Sequence, residues 1–288
     1  MRYVMFSSEA GARVGALVGE DTVVDLTAAL PAVRTMRDVI AGGDVLQSEI
    51  EAAIAGASGR PLGAVDLLSP LPDPGKVICL GLNYADHAKE GGNELPGYPA
   101  LFMRGATSLI GPGAPMIVPT ASDKLDYEAE LAIVIGTECR HVMEEEAGAV
   151  IFGYTIFNDG SVRDYQRRST QWTAGKNFDG TGAVGPWIVT ADELPAGAAG
   201  IGIRSRLNGA IMQNSNTAHM IFSVPRTIAI LSEVMTLQPG DLIATGTPEG
   251  VGYARKPPVF LRPGDEIAIE IDGIGTLTNP VAAERAPA

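Results

Sequence analysis

The densest apolar run in the chain is Leu131-Ala132-Ile133-Val134-Ile135, which stops at Gly136. Short, rich in β-branched residues and closed by a turn former, it predicts a buried strand. The run is entered through Asp126-Tyr127-Glu128-Ala129-Glu130. Strand side chains alternate between faces, so Glu128 and Glu130 share one face while Tyr127, Ala129 and Leu131 share the other. Upstream, residues 13–18 and 22–26 predict two strands joined by a turn at Gly19-Glu20-Asp21. Residues 35–40 and 45–55 carry helical spacing, interrupted at Gly42-Gly43. Strands are also predicted over 76–80, 153–157, 187–189 and 201–207, and a helix start at 161–168. A further helix spans 221–235, beginning near Pro225 with Ile228, Leu231 and Met235 on one face.

Two turns repeat one chemistry. Pro239-Gly240-Asp241 and Pro263-Gly264-Asp265 each launch a strand, with Gly supplying positive φ after Pro. The Pro-rich stretch Ser69-Pro70-Leu71-Pro72-Asp73-Pro74-Gly75 is the best boundary in the chain. It divides a small N-terminal α/β domain, residues 1–72, from a larger domain, residues 73–288. The smaller unit is marginal on its own and is expected to pack against the rest.

Composition sharpens this picture in a few places. With 35 glycines, 20 prolines and 45% hydrophobic residues, the chain is folded, turn-rich and β-heavy. A net charge of −13 argues against nucleic acid or an anionic membrane as partner. An anionic substrate would therefore need a metal or a local basic cluster. The two cysteines, Cys79 and Cys139, read as core thiols in a reducing compartment. The N-terminus lacks a signal-peptide pattern and no apolar run reaches membrane-spanning length, so a soluble, cytoplasmic protein is expected.

The candidate chemistry comes in pieces. Two carboxylates on one face of a strand entering a core need a cation or a proton, unless they are a solvated strand end. Asp159, just past residues 153–157, is either a third ligand for a hard cation or the cap of the following helix. Carboxylates without a His or Cys ligand pattern favour Mg²⁺ or Mn²⁺ over zinc. His87 and Glu90 lie one helical turn apart, as a base and its orienter would, or as an incidental exposed pair. Gly91-Gly92 behind them has the composition of a mobile lid. Lys176 sits in a glycine-flanked segment, and residues 245–252 form either an anion-holding loop or a plain one. His141 has no assigned role.

Taken in order, these pieces are specific. G-L-N-Y-x-x-H-x-x-E, D-Y-E-x-E-L-A-x-V-I-G, G-Y-x-x-x-N-D-x-S-x-R-D-x-Q, the lysine segment and P-G-D-x-I-x-T-G-T-P-x-G-V-G together resemble the fumarylacetoacetate hydrolase family over residues 73–283. The resemblance implies an α+β, β-rich fold: a catalytic domain of mixed β-sheets folded into a roll, usually dimeric, with one Mg²⁺ or Mn²⁺ per subunit. It places Glu128, Glu130 and Asp159 on the metal ligands and His87 with Glu90 on a water-activating dyad. Lys176 falls on the active-site lysine, and Arg163, Gln166, Gly246 and Thr247 on substrate-binding positions. Gly160 and His219 depart from the family pattern, and these departures bear on the shape of the pocket. The activity implied is metal-dependent C–C hydrolysis of a small anionic 2-oxo acid, an acylpyruvate such as fumarylpyruvate or maleylpyruvate. Relatives that decarboxylate, isomerise or hydrate 2-oxo acids, or hydrolyse diketo-deoxy sugar acids, share the apparatus, and a non-catalytic metabolite-binding protein is the remote alternative.

Overall fold

The computed structural model describes residues 1–90 and 94–285. The glycine pair expected as a lid, Gly91-Gly92, lies outside them. The Ala129–Ile135 strand stands inside a mixed sheet of twelve strands among the described residues. It pairs antiparallel with Ile151–Asp159 on one side and Leu242–Ala244 on the other. Past Leu242–Ala244 come Val77–Gly81, parallel to it, and Ala100–Met103. Past Ile151–Asp159 comes Gly182–Thr190, which pairs with Arg2–Ser8. The sheet then runs on through Gly11–Val18 and Thr22–Asp25, so the N-terminal unit extends the sheet that carries the acidic strand.

Every residue of Ala129–Ile135 is buried because both faces of the sheet are covered. Ala129, Leu131, Ile133 and Ile135 pack with Tyr154 and Ile156 into one core. That core is shared with a second, five-stranded sheet built from Ala210–Asn216, Gly202–Leu207, Glu266–Ile271, Gly275–Ala283 and Met116–Val118. Ala132 and Val134 face the other way, into a core with Phe157, Val77, Cys79 and the N-terminal helical residues Met36, Val39, Ile40 and Ile50. Those last residues come from helices Met36–Ala41 and Gly43–Gly56. Thr35 caps the first through a capping box with Asp38.

The sequence-predicted elements differ from this in two instructive places. Arg2–Ser8 is a strand the pattern did not announce. Tyr3 and Met5 enter one core while Val4 and Phe6 enter another, so both faces are apolar and no alternation shows. The helix expected from residue 161 is delayed. Ser161–Val162 first pairs with Leu125–Asp126, and only Arg163–Gln166 turns helical. The backbone is held extended there by that ladder. Gly160, just before it, passes so close to the neighbouring chain that a Cβ would lie 2.0 Å from the Thr181 carbonyl oxygen. The later helix is as expected, Val224–Val234, capped by Ser223 with Pro in its first turn. Gly240 and Gly264 take the positive φ their Pro-Gly turns require, 84° and 96°. Among the described residues no helix is long and apolar enough to cross a membrane.

Candidate active site

The face of the sheet that receives Ala132 and Val134 ends in acid. Glu128 and Glu130 have the parity of those residues, and Asp159 has the parity of Phe157 on the next strand. Register completes the grouping: Glu130 stands opposite Phe157, and the Asp159 N–H donates to the Glu128 carbonyl at 3.0 Å. Asn158 fixes the entry by accepting the Glu128 N–H at 3.0 Å. One carboxylate oxygen from each of Glu128, Glu130 and Asp159 lies within 4.8 Å of the others, and all three residues are buried. Asp159 is therefore no helix cap. It closes its strand and joins the cluster.

Buried carboxylates this close need compensation. Lys176 Nζ lies 2.7 Å from Glu128 Oε2 and 2.5 Å from Asp159 Oδ2. Arg104 Nη1 takes the other Asp159 oxygen at 2.6 Å, and Arg163 Nη1 the other Glu128 oxygen at 2.7 Å. Arg163 Nε also binds Asp126 Oδ2 at 2.8 Å. Glu130 has no cation partner among the described residues; its Oε2 accepts the Gly246 N–H at 2.8 Å. Burial, with the charges of Asp159 and Glu128, pushes the Glu130 carboxyl well above its ordinary pKa. Burial would raise Glu128 too, but Arg163 and Lys176 beside it hold it down to about 2. Burial opposes the charge on Lys176, yet Asp159 and Glu128 push its pKa up, so it stays an ammonium.

With Asp126 included, four buried carboxylates face three buried cations. A divalent cation among the three clustered oxygens would turn that deficit of positive charge into an excess of one, which suits an anionic ligand. The donors are all hard carboxylate oxygens, so the cluster fits Mg²⁺ or Mn²⁺.

Above the cluster is a cavity of about 400 Å³, walled by His87, Glu128, Glu130, Arg163, Gln166, Lys176 and Thr247, with Arg167, Trp172 and Tyr253 completing the sides. Asp159 lies beneath, fully buried. Gln166 accepts from Arg163 Nη1 at 2.9 Å, and Thr247 Oγ1 accepts from Gln213 Nε2 at 2.8 Å. Two of the expected residues are placed differently. Gly246 is not in the wall, and its N–H is engaged by Glu130, so the anion it holds belongs to the protein. Its φ of +92° and the 2.8 Å from a built Cβ to the Asn83 Cβ show why only glycine fits. Glu90 is also outside the wall: its carboxylate accepts the Gly250 N–H at 3.1 and 3.2 Å. It stands 3.6 Å from His87 Nδ1, too long for a hydrogen bond, and Nδ1 is buried without a hydrogen-bond partner among the described residues. Gly160 and His219 both lie away from the cavity; the His219 ring contacts Ser215 at 3.3 Å.

Residues not singled out from the sequence complete the site. Arg104, itself buried, follows the apolar run Pro99-Ala100-Leu101-Phe102-Met103, a cation at the close of a half-buried strand. Asp126 accepts the N–H groups of Tyr127, Gly252 and Tyr253 and so pins the loop that carries Tyr253. Gln213 accepts the Ala129 N–H and donates to Thr247 and Pro248, tying the acidic strand to the 245–252 loop. Nothing local in the sequence marks Gln213.

Residues 76–282 match the family model for the fumarylacetoacetate (FAA) hydrolase C-terminal domain. The chain belongs to the fumarylacetoacetate hydrolase family. Among curated relatives, mitochondrial oxaloacetate tautomerases from Xenopus laevis and Bos taurus are each 40% identical over 98% of this chain and 90% or 91% of their own length. Among solved structures, a maleylpyruvate hydrolase from Sphingobium sp. SYK-6, with manganese(II) and pyruvate, is 35% identical with a TM-score of 0.84, covering 99% of this chain and all of that one. A 5-carboxymethyl-2-hydroxymuconate delta-isomerase from Mycobacterium smegmatis is 34% identical with a TM-score of 0.80 over the same shares. The fold is thus the sheet-rich α+β fold of this enzyme family, and the family scaffold serves hydrolases, isomerases and tautomerases alike.

Proposed function

We propose that the protein is a divalent-metal-dependent enzyme acting on a small 2-oxo acid by proton transfer at the carbon beside the oxo group, and that keto–enol interconversion of oxaloacetate is its reaction. The observation that carries this is the position of His87: it faces the same cavity as the acidic cluster and Lys176, and its Nδ1 has no hydrogen-bond partner among the described residues. A lone imidazole suffices to take a proton from carbon and return it. Activation of an attacking water is better served by a base with its orienter in place, and Glu90 is engaged elsewhere. The 40% identity to oxaloacetate tautomerases across almost the whole chain supports the same choice.

Glu128, Glu130 and Asp159 would hold Mg²⁺ or Mn²⁺, whose contribution when bound is to polarise the oxygens of the 2-oxo acid. The rest falls to the chain. In the direction from keto to enol, His87 accepts the proton that leaves C3, the oxo oxygen takes a proton from solvent to become the hydroxyl, and His87 returns its own to solvent. Lys176, kept cationic by its two carboxylates, offers charge to that oxygen while it carries the developing negative charge. Arg163 and Gln166 form the adjoining wall for the substrate's carboxylate, and the Thr247 hydroxyl offers a further contact.

A second reading has its own support. Glu90 needs to approach His87 by less than 1 Å to complete a hydrogen-bonded dyad, as roughly estimated from ordinary hydrogen-bond lengths. With that pair formed, His87 would take a proton from water as it adds to the distal carbonyl of an acylpyruvate. The C–C bond then breaks, and the pyruvate fragment takes up a proton at carbon. The two are separated by following enol-oxaloacetate absorbance, and pyruvate release from fumarylpyruvate and maleylpyruvate by mass, with Mn²⁺ in wild type and His87→Ala. Tautomerisation lost by about 10²-fold or more in His87→Ala, with no acylpyruvate cleavage by wild type, is the expected result. Acylpyruvate cleavage without tautomerisation would replace the first reading with the second.

A further inference from the structure

Besides the acids, the cavity wall carries a cation with no carboxylate partner among the described residues, Arg167. Arg163 and Arg167 are one helical turn apart, and both guanidinium groups lie over the ring of Tyr253, at 4.4 and 4.5 Å from its centroid. Their electrostatic situations differ. Arg163 gives Nε to Asp126 and Nη1 to Glu128 and Gln166, so its charge is balanced twice over. Its Nη2, in a residue only 4% exposed, has no hydrogen-bond partner among the described residues. Arg167 lines the same cavity from its exposed rim and has no carboxylate partner among the described residues. In a chain of net charge −13 an arginine facing a binding cavity without an acid is a marked local exception.

We infer that Arg167, stacked on Tyr253, is the residue that recognises a second carboxylate on the substrate and so selects 2-oxo diacids over 2-oxo monoacids. The inference rests on the 2-oxo acid chemistry proposed above and adds the group that reads the far end of the molecule. Tyr253 holds the guanidinium plane in place without neutralising it, since a ring face attracts a cation but offers no counter-charge. Tyr253 is itself fixed, because its N–H is bound by Asp126 at 3.0 Å. Arg163, over the same ring, keeps an Nη2 without a hydrogen-bond partner among the described residues, an additional N–H donor. A carboxylate there meets a planar donor group that can engage both its oxygens. The shared chemistry is a distal carboxylate, which a short diacid such as oxaloacetate and a longer acyl chain such as fumarylpyruvate both carry.

The test is calorimetric titration of the Mn²⁺-loaded protein with non-reacting pairs matched in length: 2-oxoglutarate against 2-oxopentanoate, and 2-oxoadipate against 2-oxohexanoate. Wild type should bind at least one diacid about ten-fold or more tighter than its monoacid partner, the scale of one charge-assisted contact. The pair showing the larger ratio distinguishes a short substrate from a long one. In Arg167→Gln the two affinities of that pair should converge, Arg167→Lys should restore part of the ratio, and Arg168→Gln, at the neighbouring arginine that lies over Tyr165 and outside the cavity wall, should keep all of it. In turnover, Arg167→Gln should raise KM for the diacid more than it lowers kcat. A preference that survives in Arg167→Gln, or a wild type without any preference, overturns the assignment of Arg167. A wild type that binds none of the four acids overturns the 2-oxo acid chemistry itself and this inference with it.

Discussion

The two faces of the Ala129–Ile135 strand follow the same alternation and end differently. One face is apolar throughout, from Ala129 to Ile135, and meets Tyr154 and Ile156 of the next strand in a closed core. The other is apolar at Ala132 and Val134, then turns acidic at Glu130 and Glu128 while the neighbouring strand passes from Phe157 to Asp159. The first face stabilises the fold by about 1.5–3 kcal/mol for each large side chain removed from water. The second gathers like charges that ion pairs compensate only in part, an arrangement that contributes little to stability. A site is thus marked where the apolar face fails on two adjacent strands at once, at Glu130 and Asp159, with Glu128 one residue before its strand begins.

The contrast can be broken most forcefully at Lys176. Lys176→Met leaves Glu128 and Asp159 short of a cation, so the metal-free protein should lose about 3–5 kcal/mol of stability in denaturant unfolding. Added Mn²⁺ should recover much of that loss. No loss without metal would mean the ammonium does not balance the acids. On the apolar face Leu131→Ala should cost about 2–5 kcal/mol through the cavity it leaves, with Mn²⁺ affinity of the folded protein unchanged. A change in both would show that the faces are not independent.

Glu130→Gln sharpens the comparison with the opposite sign. The folded Glu130 carboxyl is held above its unfolded value, so between the two values the folded protein binds more protons than the unfolded chain. Stability of the metal-free protein therefore falls as pH rises through that window. In Glu130→Gln this fall should be absent, and the metal-free protein should be about 1 kcal/mol more stable at neutral pH while binding Mn²⁺ more weakly. Thermal unfolding of both proteins across pH, without metal, checks it.

How far the site could be read from the chain follows from the same physics. Glu128 and Glu130 were legible because strand alternation is local, and Asp159 because it ends a strand. The spacing of His87 and Glu90 was equally legible, but not that Gly250 would claim Glu90, since that contact joins residues 160 positions apart. Gly246 was expected to contact substrate, but its N–H goes to Glu130 of the protein itself, again a contact between residues far apart in the chain. Arg167 and Tyr253 meet only because the loop pinned by Asp126 folds over the Arg163–Gln166 turn. Strand Arg2–Ser8 went unread for the reason that makes it central: it is apolar on both faces.

The central claim is that Glu128, Glu130 and Asp159 hold one divalent cation. Calorimetric titration with Mn²⁺ of wild type, Glu128→Gln and Asp159→Asn tests it most directly. Wild type should bind one ion per chain, and each variant should lose at least about 100-fold in affinity, beyond what removing an outer-shell partner costs. One ion bound with wild-type affinity in either variant would contradict the account.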